Sequence, residues 1–148
     1  MNGCLTIASV KSLHGDFGNT ISSTLWRFVE SVGVKRPVVG MITCHPHRSR
    51  RPSDFDPAKP CRHCIQSQGF ATRFSRITER ELFAAASSYC GAQMGGPLGI
   101  AELILTDDNG DEHVFAFEGF FIKYRSPAVG EALTLGVYAR PNVRIIAA

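Results

Sequence analysis

The sequence lacks most of the signals that would announce a chemistry. No apolar run approaches the roughly 20 residues that a membrane-spanning helix needs, so no membrane partner is expected. The opening residues, MNGCLTIASVKSLHG, do not place a long apolar core behind a basic start, so no secretory signal is expected either. Charge of one sign is scarce: 16 Lys and Arg stand against 13 Asp and Glu, a net +3. That balance permits contact with nucleic acid but does not argue for it. The glycine-rich GAQMGGPLG does not end in Gly-Lys-Ser/Thr, so it is no phosphate loop. There is no G-x-S-x-G nucleophile elbow. Asp107, Asp108, Asp111 and Glu112 lack the spacing of a calcium loop and flank an Asn-Gly turn.

What remains is globular. Hydrophobic residues make up 44% and charged residues 20%, outside the range of a disordered chain. Five cysteines without a secretory context read as reduced thiols in the cytoplasm, with a metal site as the exception.

Residues 13–33, LHGDFGNTISSTLWRFVESVG, pattern as a helix-turn-helix. A first helix is expected over 6–17. Gly18 and Asn19 make a corner, and a second helix runs from about 20 to 32. Its apolar stripe is Ile21, Leu25, Phe28, Val29 and Val32. A segment 1–34 of this kind would precede a mixed α+β domain over 35–148. There, Val38 to Ile42 read as a buried strand. Residues 45–60, with Pro46, Pro52, Pro57 and Pro60, read as an exposed basic loop. Cys61–Ser67 is a strand candidate, and Gly69–Ser75 one or two helical turns. Thr78 and Glu81 form a capping box for a helix that carries Leu82, Phe83, Ala86 and Tyr89. Two strands, 100–106 and 112–121, flank Asn109-Gly110, which predicts a two-residue type I′ hairpin. A last strand covers 132–139. The expected fold class is α+β: an antiparallel sheet with one or two packed helices, GAF/PAS-like, behind the helix-turn-helix.

FGNTISSTLWRFVE, RPVVGMITCHPH, ELFAAASSYCG, LTDDNGDEHVFAFEGFF and the terminal LTLGVY together resemble the region after the catalytic core in the ImmA/IrrE family of zinc metallopeptidases. The resemblance covers about residues 8–140. It implies a non-catalytic regulatory or ligand-sensing part, with a peptidase domain upstream as a partner. That family's core carries H-E-x-x-H. None of His14, His45, His47, His63 or His113 stands in such a motif, so no catalytic residue carries over.

Three sets of residues are candidates for binding. A small-molecule or protein ligand would meet Phe83, Met94, Phe115, Phe117 and Tyr138, if these aromatics line a pocket and not a solid core. DNA would meet Asn19, Thr20, Ser22, Ser23 and Arg27 of the helix-turn-helix and Arg48, Arg50 and Arg51 of the loop. Zinc would be held by thiolates and imidazoles from Cys44, His45, His47, Cys61, His63 and Cys64. A redox role for Cys61-x-x-Cys64 is disfavoured, since that motif ordinarily opens a helix.

Overall fold

The computed structural model describes residues 21–32, 36–123 and 130–143. The expected first helix, Asn19 and Thr20 lie outside these residues. The described chain is an α+β fold of the GAF/PAS-like type. Helix α1 spans Ile21–Val32 and is followed by strands β1 (Val38–Thr43) and β2 (Cys61–Gln66). Two helices come next, α2 (Gln68–Arg73) and α3 (Glu79–Tyr89), and then strands β3 (Gly96–Thr106), β4 (Glu112–Lys123) and β5 (Gly130–Pro141). The five strands make one sheet in the order β2-β1-β5-β4-β3, every pair antiparallel.

The order follows from the connections. β1 and β2 form one hairpin across the proline-rich loop. α2 and α3 then carry the chain over one face of the sheet to its far edge. The β3-β4-β5 meander returns it, so that β5 pairs with β1 and Val38 faces Val137. Every residue of β1 is buried, because helices cover both of its faces. Val38 and Ile42 join Leu25, Phe28 and Val29 of α1 in one core with Ile65, Leu133, Leu135 and Val137. Val39 and Met41 point the other way, to Phe70 and Phe74 of the α2 segment, Leu82 and Ala86 of α3, and Phe115 and Phe117 of β4. Strand periodicity of two sorts each strand's residues between these cores. Thus α1 shares its core with the sheet, and the expected boundary at 34/35 falls in the undescribed residues 33–35.

Local signals set the helix starts. Thr78 accepts the Glu81 N–H at 3.2 Å, as its capping box predicts. Ser67 is buried and accepts two N–H groups: Phe70 at 3.2 Å, which caps α2, and Val38 at 2.9 Å, which ties that cap to β1. β3 forms one edge of the sheet. Its inner residues Leu103 and Leu105 pack on the aromatic core, while Ile100 and Ile104 are 79% and 53% exposed. Glu102 lies between them and pairs with Arg140 at 2.9 Å.

The β3–β4 turn differs from the expected one. Gly110 N–H donates to the Asp107 carbonyl at 3.0 Å, so the central pair is Asp108-Asn109, and Gly110 follows in the left-handed region at φ 88°. The side chains select this longer loop. Asp107 accepts the Asn109 and Asp111 N–H groups, each at 2.9 Å. Asp108 accepts the Ser75 hydroxyl at 2.6 Å, which fastens the hairpin to the α2–α3 corner.

Candidate functional site

Cys61 and Cys64 share one face of β2. Residues three apart on a regular strand would face opposite ways. Here Ile42 pairs with His63 and Thr43 with Cys61, so Arg62 is an extra residue, a β-bulge. The bulge turns both thiols toward the aromatic core, where they pack at its margin. The Cys61 thiol hydrogen-bonds to the Cys64 sulfur. That bond lowers the Cys64 pKa against the opposing effect of burial, and it raises Cys61, which burial raises further. Cys44 follows Thr43, and its thiol donates to the His45 carbonyl at 3.8 Å. Burial pushes the Cys44 thiol up, and the Arg51 charge only partly offsets it.

The histidines of the expected zinc set do not converge on these thiols. His45 is buried with both ring nitrogens in use. Nδ1 accepts the His47 N–H at 3.1 Å, so Nε2 carries the hydrogen and donates to the Gln93 carbonyl at 2.7 Å. Burial lowers its pKa, which keeps the ring neutral. His47 spends Nδ1 on Ser49, capping the short turn Arg48–Arg50. His63 pairs with Ile42, so it stands on the α1 side of the sheet, away from the thiols. Among the described residues, no group of three or more His, Cys, Asp or Glu side chains is arranged to hold a metal ion.

The residues of the expected DNA surface divide between the two faces. Ser23 and Arg27 are exposed on α1. The arginine loop packs on α3, on the opposite side. Arg51 donates to the Pro46 carbonyl at 3.2 Å and to Ser87 Oγ at 3.0 Å. Its guanidinium carbon lies 5.0 Å from the Phe55 ring centre and 5.2 Å from that of Phe83. Arg50 donates to the Ala92 carbonyl at 3.0 Å, and Arg48 is exposed. The side chain of Ser22 lies outside the description.

The expected aromatic pocket is not gathered in one place. Phe115 and Phe117 are buried in the core, where Phe115 meets Phe70, Phe74 and Tyr138 edge-on at 5.1–5.7 Å. Phe83 stacks instead on Phe55 of the loop at 5.3 Å. Met94 is 42% exposed in the connector before β3. Sheet aromatics on one face pack together because α2 supplies rings of its own to fill the space between them.

An open groove of about 440 Å³ lies between α1 and the edge strand β2. Ser23, Trp26, Arg27, Glu30, His63 and Ile65 line it. Trp26, the one tryptophan of the chain, is 51% exposed there. Helical spacing places it on the flank of the apolar stripe and outside it. Glu30 and Ile65 carried no such signal, since only the docking of α1 beside β2 brings them together. No helix among the described residues is long and apolar enough to cross a membrane. Compared with protein-family models, with curated proteins and with solved structures, the chain matches none of them.

Proposed function

We propose that this chain is a non-catalytic regulatory module that binds a small planar molecule in the groove between α1 and β2. The carrying observation is the groove itself. Its volume falls within the roughly 300–1,000 Å³ typical of ligand sites, and it combines an exposed indole with Arg27, Glu30 and His63. The indole supplies a face for stacking. Arg27 offers donors and Glu30 acceptors, so the fitting ligand is a flat ring with hydrogen-bonding groups of both kinds. The regulatory reading agrees with the family resemblance, in which such a part accompanies a peptidase core.

Trp26 makes the test direct, because its emission reports on this groove alone. Nucleobases, nucleosides and aromatic amino acids are titrated against intrinsic fluorescence and thermal unfolding. The expected result is saturable quenching by one class, with a raised unfolding temperature, and loss of both in Arg27→Ala and Glu30→Ala. Failure of every class to shift either signal would overturn the reading.

A further inference from the structure

We propose that Cys61 and Cys64 are a reversible redox site, a dithiol that a hydroperoxide converts into an intrachain disulfide. The inference is independent of the groove, which lies on the other face of the sheet. It rests on the bulge. Cys61 pairs with Thr43 and Cys64 with Met41, and those partners are two residues apart. The two cysteines therefore occupy neighbouring positions on one face, about 6.5–7 Å apart between Cα atoms at the usual strand rise. Without the bulge they would be a residue further apart and back to back.

That spacing is at the upper end of what a disulfide spans, and a bond at that limit is strained and easily reduced. The site thus suits a bond that forms and reopens, as opposed to a permanent brace. Closing the remaining gap requires the two Cβ atoms to approach to about 3.5–4.5 Å, so the start of β2 must shift as the bond forms. Cys61 begins an edge strand and follows Pro60 at the end of the long loop.

The chemistry has a direction. Cys64 is the nucleophile, since the hydrogen bond from Cys61 favours its thiolate despite burial. Its sulfur attacks a peroxide oxygen, the O–O bond breaks, and Cys64 becomes a sulfenic acid while hydroxide leaves. The Cys61 sulfur then attacks the Cys64 sulfur. The S–S bond forms, the S–O bond breaks, and the oxygen departs as water with the Cys61 proton. Two thiols lose two electrons; with hydrogen peroxide the hydroxide takes up the proton that Cys64 released, and one peroxide becomes two waters. Cys44 and Cys90 do not compete as nucleophiles. Burial raises both, Cys90 to about 11.

The test treats the full chain with hydrogen peroxide at neutral pH, blocks remaining thiols with iodoacetamide and maps peptides by mass. A Cys61–Cys64 linkage is expected, lighter by two hydrogen atoms and reopened by dithiothreitol. Cys44→Ser and Cys90→Ser should retain it. Cys61→Ser should instead accumulate a dimedone adduct on Cys64. In the unmodified protein, which needs no variant to fold, Cys64 should alkylate faster than Cys44, Cys61 or Cys90. The proposal is overturned if Cys61 and Cys64 stay free, if either pairs with Cys4 or Cys44 instead, or if Cys64 is not the fastest of the four.

Discussion

His113 Nε2 donates to Asp107 Oδ2 at 2.8 Å, and both side chains are largely buried at the end of the β3–β4 hairpin. The other ring nitrogen meets the Tyr138 hydroxyl at 3.2 Å. One imidazole thus joins the first residue of the turn to the neighbouring strand β5. Asp107 in turn accepts the Asn109 and Asp111 amides through Oδ1, so the ring anchors the carboxylate that the loop is built around.

Replacing His113 by Ala should cost about 1–3 kcal/mol, because it leaves a largely buried carboxylate and a phenol without their partner. Urea denaturation measures the loss. His113→Gln, which keeps a donor, should recover part of it.

Acid should loosen the same corner. The His113 hydrogen bond holds the Asp107 carboxyl below its ordinary 3.8, and the Ser75 hydroxyl does the same for Asp108. Groups depressed in the folded state stabilise it fully above their unfolded pKa, and that contribution disappears as pH falls through the folded value. The urea midpoint should therefore decline below about pH 4. Asp107→Asn and Asp108→Asn should start from lower midpoints at neutral pH and show a shallower acid decline.

Docking of α1 depends on Leu25 filling the space over Gly40. A Cβ at Gly40 would come within 2.9 Å of Leu25 Cδ1. Leu25→Ala should cost about 2–5 kcal/mol through the cavity it leaves. Gly40→Ala alone should cost about 1–3 kcal/mol through overpacking. In the Leu25→Ala background the added methyl should be neutral or favourable. Simple additivity in that double-mutant cycle would show that the two sites do not touch.

Arg51→Lys should be far from conservative. An ammonium cannot spread against the stacked Phe55 and Phe83 rings while reaching both the Pro46 carbonyl and Ser87. The variant should lose about 1–2 kcal/mol, and trypsin should cleave the 48–59 loop faster. An unchanged cleavage rate would mean the stack does not hold the loop.

Much of this architecture is legible in the residues themselves. The Thr78–Glu81 cap, the apolar run of β1 and the alternation of Leu133, Leu135 and Val137 are short-range patterns, and each element stands where its pattern predicts. What could not be read depends on pairing between distant segments. Arg62 becomes a bulge only because β1 offers one fewer residue opposite it. A C-x-x-C on a strand therefore looks unusable until the register is known. Asn109-Gly110 suggests a tighter turn, yet the Asp107 and Asp108 carboxylates find partners that favour a longer one. The same limit applies to the candidate site. Trp26 could be placed outside the apolar stripe, but the strand that makes its surroundings a groove is 37 positions further along at His63.

The placement of Glu102 has a consequence for how the protein behaves at high concentration. An outermost strand offers free backbone groups to any similar strand that approaches, and the aliphatic side chains of Ile100 and Ile104 would reward such an encounter. A carboxylate set between them and paired with Arg140 opposes the join, because the charged pair would have to give up its water. Exchanging that one acid for valine would create the uninterrupted segment Ile-Ala-Val-Leu-Ile-Leu, a template for self-association on a chain whose interior had not changed.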